Sequence, residues 1–464
     1  MKYKFPNNFL WGAASSGPQS EGEQNKPNRN VWDVWFDEEP DRFFGHYSPK
    51  IACDTYNRYL EDIELMKDIS FNSYRTSIQW TRLIDDLETN TVNQDAIRFY
   101  RDYFEKMISV GIKPIVNLYH FDMPNQLMEK YGGFASMHIV DLFVGYAQKC
   151  FQLFGDIIEL FTVFNEPLVP VEFGYFYDAH KPCVVDPKLG VQVAYNSIIA
   201  QAKVIEAYRE MGLDGEIGTI LNLTPAYPRS NNPADVKASE MCNLIFNKSF
   251  MDPSVKGEIN KELSNELSRH GLSPERIADE KNILKNNTVD FVGLNYYVPR
   301  RVKAPSYTPN YEGPWMPEWY FENYQMPGNR VNPHRDNNEI YPRALYDIAK
   351  DVQKNYGNIK WYLAEIGISI TSEEKMINSE GVIDDSFRTE LLKEHLIHLH
   401  KAITEGSNCF GVHQWTFIDN WSWLNTHKRR YGFYYLDLET KERTIKEHAK
   451  WFKKIIEENG FDGK

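Results

Sequence analysis

Short runs of apolar, β-branched and aromatic residues alternate along the whole chain with longer stretches whose apolar positions recur every three or four residues. The first kind reads as buried strand and the second as amphipathic helix. The first strand-like run is Phe9-Leu10-Trp11-Gly12-Ala13-Ala14. A helical stripe of Tyr56, Tyr59, Leu60, Ile63 and Met66 follows, and then Ser73-Tyr74-Arg75-Thr76-Ser77-Ile78. Ala96, Ile97, Tyr100, Tyr103, Phe104, Met107 and Ile108 make the clearest stripe, and Gly111 stands where a left-handed cap closes a helix. Lys113 to Tyr119 is the third strand, with a helix capped at Ser136 behind it. Phe161-Thr162-Val163-Phe164 is the fourth, and a long helix from about Pro187 to near Gly212 leads to a fifth from Glu216 to Asn222. Val289 to Asn295, Lys360 to Glu365 and Cys409 to Trp415 complete the series.

Eight strands separated by helices imply right-handed parallel crossovers, and eight is the number that closes a barrel. The pattern therefore predicts an α/β fold, a (β/α)8 TIM barrel with long loops on its C-terminal face. A doubly wound open sheet is the rival, but no glycine-rich phosphate loop follows an early strand. Length alone suggests about three domains, whereas a barrel with insertions runs past about 400 residues as one unit. No Pro/Gly/Ser linker, short-period repeat or low-complexity tract divides the chain, so residues 1–464 are expected to form a single catalytic barrel domain. The segment from Pro299 to Pro342 carries eight prolines and the aromatics Trp315, Trp319, Tyr320 and Tyr324. So long a loop in a compact domain is functional or disordered, and its aromatic content favours a folded wall over the barrel mouth.

Composition narrows the function classes. A hydrophobic content of 42% and a charged content of 25% are ordinary for a globular protein. The net charge of −13 argues against nucleic acid or an anionic membrane as partner. The N-terminus, Met1-Lys2-Tyr3-Lys4-Phe5-Pro6, has no apolar run of signal-peptide length, and nothing later approaches a membrane span. Cys53, Cys150, Cys183, Cys242 and Cys409 are odd in number, scattered and without CxxC spacing. A reduced cytoplasmic setting without structural zinc or other cofactor is expected. The 11 Trp and 28 Tyr include enough aromatic surface to offer flat faces for sugar rings.

The chemistry concentrates where strands end. The fourth strand stops at Asn165-Glu166-Pro167 and the seventh at Ala364-Glu365-Ile366-Gly367. A carboxylate at the end of a buried strand is costly unless it is paired or working. Two of them could form the carboxylate pair that glycoside hydrolysis needs. In a barrel all C-terminal strand ends share one face, which would gather Arg75, His120, Asn165, Glu166, Asn295, Tyr296, Tyr297, Glu365 and Trp415. Singly, each has a plainer explanation: Arg75 could pair with any carboxylate, Trp415 could be core, and His120 could be a hydrogen-bonded structural residue. His120 has no acidic or histidine neighbour at metal-ligand spacing, so no metal is expected.

Several motifs resemble those of family 1 glycoside hydrolases, the retaining β-glycosidases, over nearly the whole chain. They are Phe9 to Ala14 with Gln19-Ser20-Glu21-Gly22, Tyr119-His120-Phe121-Asp122-Met123-Pro124, Phe164-Asn165-Glu166-Pro167, Gly293-Leu294-Asn295-Tyr296-Tyr297 and Trp415-Thr416-Phe417-Ile418-Asp419-Asn420. The resemblance implies that Glu166 is the general acid/base and Glu365 the nucleophile, with Arg75 and Tyr297 holding Glu365 as a carboxylate. It implies that Gln19, His120, Asn165 and Trp415 bind the sugar before the scissile bond. One departure is Ile366-Gly367, where the family usually reads Asn-Gly, so a polar neighbour of the nucleophile is lost.

A second departure concerns what the sugar carries. Where relatives acting on plain glucose place a glutamate, this chain has Ser422, and an acidic sequence then supplies Lys428-Arg429-Arg430-Tyr431. A serine hydroxyl can donate to a phosphate that a carboxylate would repel. The pair of features resembles the 6-phospho-β-glycosidase branch, which implies phosphate binding by Ser422, Lys428 and Tyr431, with Arg429 as the substitute for Lys428. Trp423 is found in galactoside-active relatives and would contact the sugar at O4, while the rest of the pattern leans towards glucose. The expected substrates are phosphorylated disaccharides or aryl glycosides such as cellobiose 6-phosphate. The alternatives are a 6-phospho-β-galactosidase or dual enzyme, and a sugar-phosphate-binding protein that has lost catalysis. A homodimer is compatible with the sequence but not indicated by it.

Overall fold

The computed structural model describes residues 2–335, 338–379 and 381–463. Position 1 of the N-terminal reading and positions 336–337 of the proline-rich segment lie outside the described residues, as do 380 and 464.

Eight parallel strands close a barrel in sequence order: β1 (Leu10–Ala14), β2 (Ser73–Ser77), β3 (Lys113–Tyr119), β4 (Leu160–Asn165), β5 (Glu216–Asn222), β6 (Phe291–Asn295), β7 (Lys360–Ile366) and β8 (Cys409–Trp415). The seam is sealed by β8 on β1, where Trp415 pairs with Ala14, and Ala14 pairs in turn with Arg75 of β2. Every pairing is parallel, so the C-terminal ends share one rim. Ile115, Leu160, Ile220, Phe291, Tyr362 and Ala364 form a buried cluster of their own, drawn from five strands. This is the side-chain filling of a small barrel, while the alternate strand positions join the larger core under the helices.

Those helices are the amphipathic stretches of the sequence. Thr55–Asp68, Gln94–Ser109, Met137–Phe154 and Pro187–Glu210 precede β2, β3, β4 and β5. Ser136 caps the third, its Oγ accepting from the His138 N–H at 3.2 Å, and Gly111 takes the left-handed conformation (φ 84°) that ends the second. Two positions of the expected stripes are exposed: Leu60 at 52% and Ile108 at 41%. At 100° per residue Ile108 lies roughly 80° from the stripe's centre at Tyr100, which carries it over the edge of the buried face.

Periodicity also missed what is not periodic. Lys2–Lys4 pairs antiparallel with Gly460–Asp462, tying the two ends together. The stretch after β6 is not one long loop: Arg300–Lys303 pairs with Ala226–Pro228 and with Glu322–Asn323 in a small three-stranded sheet. Trp315 is buried against Phe176 and donates to Tyr320 Oη at 3.1 Å. Among the described residues no helix is long and apolar enough to cross a membrane.

Candidate active site

The two strand-end glutamates are turned inward by local irregularities. The register of β4 against β5 shifts between Thr162 and Asn165, and that of β7 against β8 between Leu363 and Ile366. Such a shift breaks the simple alternation of faces and re-aims a side chain. Thus Phe164 packs outward on Phe134 and Phe143 while Asn165 and Glu166 line the cleft, and Ile366 joins the hydrophobic core while Glu365 lines the cleft. Gly367 must be glycine, because a Cβ there would lie 2.4 Å from the Trp415 carbonyl oxygen.

Each carboxyl oxygen of the buried Glu365 accepts from a donor. The guanidinium of Arg75, itself 0% exposed, donates to Glu365 Oε1, and the Tyr297 hydroxyl donates to Oε2. Both stabilise negative charge on that carboxylate. Arg75 is held in turn by the Ser15 carbonyl at 3.1 Å and lies 3.3 Å from His120 Nδ1. Burial, and then the charge of Glu365, push the Tyr297 phenol well above its ordinary range, so it remains a neutral donor.

Glu166 has the opposite environment. Its backbone sits in the left-handed region (φ 48°), unusual for a glutamate, and is held there by its N–H donating to Ile220 O at 2.8 Å. The carboxyl accepts one hydrogen bond, from Asn295 Nδ2 at 2.8 Å. Burial first, and the negative charge of Glu365 second, raise its pKa from 4.5 to about 8. One carboxyl that keeps its proton at neutral pH, beside another whose two oxygens accept from Arg75 and Tyr297, can run acid and nucleophile chemistry together.

The remaining wall is polar and aromatic. Asn165 lies between Asn295 (3.1 Å) and His120 Nε2 (3.4 Å). Burial and the nearby Arg75 charge hold His120 well below its ordinary pKa, hence neutral. Asp122 fixes its loop by accepting from the backbone N–H groups of His120 (3.0 Å) and Trp80 (2.9 Å). The His120 ring stacks at 5.8 Å on Trp415 and 6.1 Å on Trp423. Gln19 is anchored at both ends, by Ser16 Oγ (2.8 Å) and the Trp421 carbonyl (2.9 Å). Together with Ser422 and Tyr431 these residues bound a cleft of about 440 Å³, a size that suits a disaccharide-scale ligand.

The basic run after β8 divides. Arg429 lines the cleft and Lys428 does not: the Lys428 side chain is exposed and its Nζ lies over the Phe44 ring at 5.1 Å. Of the two residues weighed for the phosphate, Arg429, the substitute, is the one on the cleft wall. The turn explains it, because Ser422 N–H bonds Thr426 O (2.7 Å) and Lys428 N–H bonds Asn425 O (2.8 Å), a tight loop that points residue 428 outward. Arg430 points back into the protein, its Nη1 donating to Leu436 O at 3.2 Å. Behind it Asp419, Glu373, Asp385, Arg388, Lys446 and His448 form a fully buried ionic cluster. Asp419 Oδ1 accepts from the N–H groups of Tyr431 (3.1 Å) and Gly432 (2.7 Å), so the cluster anchors the loop that presents Tyr431.

Sequence reasoning missed Arg300 and Glu172, an ion pair at 3.1 Å on the outer wall, and Arg335. Arg300 and Arg335 lie in the proline-rich segment expected to wall the barrel mouth, but like Glu172 they stand in no periodic run that would single out the individual residue. Among the described residues no group of three or more His, Cys, Asp or Glu could hold a metal ion.

A family model described as "Glycosyl hydrolase family 1" matches residues 1–461. The chain is 48% identical to the 6-phospho-beta-glucosidase GmuD of Bacillus subtilis, over 99% of each protein. It is 31% identical to a 6-phospho-beta-galactosidase of Clostridium acetobutylicum, over 97% of this chain and 96% of the other. Among solved structures, a family 1 β-glucosidase from Thermotoga maritima superposes with a TM-score of 0.90 at 30% identity, covering 99% of each chain.

Proposed function

The chain belongs to glycosyl hydrolase family 1, and from that premise we propose that it hydrolyses 6-phospho-β-glucosides, releasing glucose 6-phosphate and the aglycone with retention at the anomeric carbon. The observation that carries the proposal is a single cleft that joins the unlike carboxyl pair, Glu166 and Glu365, to Ser422, Tyr431 and the guanidinium of Arg429.

In this reading Glu166 gives its proton to the leaving oxygen while Glu365 attacks C1, and the bond to the aglycone breaks. The glycosyl ester so formed carries no charge on Glu365. That removes the second-largest cause of the raised Glu166 pKa, so Glu166 then takes a proton from water, which attacks C1 and frees Glu365. Arg75 and Tyr297 are released and re-engaged as that charge disappears and returns. Asn165, His120, Gln19, Asn295 and Trp415 would hold the sugar hydroxyls and face, and Ser422, Arg429 and Tyr431 its 6-phosphate. The whole chain would act as one catalytic domain. A cytoplasmic location belongs to the same reading, because a phosphorylated sugar is too charged to cross a bilayer unaided.

A 6-phospho-β-galactosidase is the second reading, favoured by Trp423 in the cleft wall and by the relative of that name. Loss of catalysis is not favoured, since the apolar Ile366 packs into the core instead of replacing a group in the cleft. Four substrates decide: nitrophenyl β-glucoside, β-galactoside and the 6-phosphate of each. Preference for the glucoside 6-phosphate, with the β-anomer as first product by NMR, is expected. Equal hydrolysis of plain and phosphorylated glucosides, or an inverted product, would overturn the proposal.

A further inference from the structure

The described residues between 331 and 339 belong to a segment that folds back on itself. Val331 bridges Glu339 antiparallel, and the Asn332 N–H donates to Asn338 O at 2.8 Å. The buried Asn332 side chain donates to Ser369 O at 3.0 Å, just beyond β7. Next to that, Ile370 and Arg430 exchange backbone hydrogen bonds of 2.9 Å in each direction. Segments following β6, β7 and β8 are therefore laced together. The lacing brings Arg335 from the first and Arg429 from the third to the same cleft as Ser422 and Tyr431.

Both guanidiniums are partly buried, and among the described residues neither has a carboxylate within ion-pair distance. This is notable in a chain of net charge −13, where most other arginines on the rim, such as Arg300 and Arg301, are paired. Burial, and after it the positive charge of Arg335, lower the pKa of Arg429, with Tyr431 acting the other way. Two like charges gathered without a counter-ion are a standing electrostatic cost. A ligand that brings negative charge between them relieves it. A phosphate monoester carries about −1.5 to −2 at neutral pH and accepts the planar forks of two guanidiniums.

We infer that Arg335 is a specificity-determining residue that binds the sugar 6-phosphate together with Arg429, from a loop that no sequence motif marks. The inference rests on the phosphorylated-substrate reading above. Ser422 and Tyr431 supply neutral donors to the same group, and the two arginines supply the charge. Since the phosphate is remote from C1, the contact acts on binding more than on the chemical step.

Arg335→Ala and Arg335→Lys should be compared with wild type on nitrophenyl β-glucoside 6-phosphate and on the plain glucoside, with inorganic phosphate as competing inhibitor. Removing one charge-assisted contact should lower kcat/KM for the phosphorylated substrate about ten- to a hundredfold, mostly through KM. The loss on the plain glucoside should be far smaller, so that the preference for the phosphorylated substrate falls; inhibition by inorganic phosphate should weaken in parallel, and lysine should recover part of the loss. A wild type that prefers the phosphate while Arg335→Ala keeps the full preference overturns the role of Arg335 alone. Equal loss on both substrates, which a merely structural role would give, overturns it too. A wild type without phosphate preference overturns the underlying reading instead.

Discussion

Glu166 is the group whose environment most directly sets the pH range of activity. Burial and the charge of Glu365 displace its pKa from 4.5 to about 8, which corresponds to about 5 kcal/mol against ionising it in place. If Glu166 is the acid, kcat/KM should fall on the alkaline side with an apparent pKa near 8, since that profile reports the free enzyme. The limb should be clear with a poor leaving group such as the glucose of cellobiose 6-phosphate, and faint with dinitrophenolate, which needs little protonation. Glu166→Gln should remove the limb and cost about 10²–10⁴-fold on the poor leaving group. Glu365→Gln, which deletes the second cause but leaves the burial, should bring the Glu166 titration below 8 while keeping it above 4.5, as read by carbon NMR of labelled glutamate. Linkage gives an independent check. The folded state favours the protonated acid, so this contribution to stability is complete below about pH 4.5 and declines as pH rises to about 8. Glu166→Gln cannot ionise and should therefore gain stability over wild type at pH 8 to 9 but not at pH 4. An alkaline limb near pH 5, or one that survives in Glu166→Gln, would refute the assignment.

Two further outcomes follow from the same geometry. Arg429→Ala should reduce kcat/KM for the 6-phosphate about ten- to a hundredfold and leave the plain glucoside unchanged, whereas Lys428→Ala, whose Nζ rests on Phe44, should change neither; paired kinetics on the two substrates read this directly. Glu365→Ala leaves the fully buried Arg75 without its carboxylate, and should lower stability by about 3–5 kcal/mol in denaturant titrations, with Glu365→Gln losing less because an amide oxygen can still accept.

How much of this was legible beforehand depends on the range of the signal. Strand and helix positions repeat every two or 3.6 residues, so β3, β5 and β8 could be read from the chain with their ends, and the closure of eight parallel strands followed from counting them. Glu166 and Glu365 were legible as well, because a charged residue that ends an apolar run contradicts its own neighbourhood. The direction of a side chain is a different matter. Strict alternation along β7 would have sent Glu365 outward and Ile366 inward, and the extra residue of β7, seen in its register against both β6 and β8, reverses them. Likewise Lys428 and Arg429 are adjacent and chemically alike, and the turn closed on Thr426 and Asn425 decides which one meets the cleft. Arg335 lies in an aperiodic, proline-rich stretch and lines the same cleft as Ser422 and Tyr431 because Asn332, Ser369, Ile370 and Arg430 lace three loops together. Residue type and local period are properties of neighbours along the chain, whereas the pKa of Glu166 and the meeting of two arginines arise from charges brought close across the fold and removed from water.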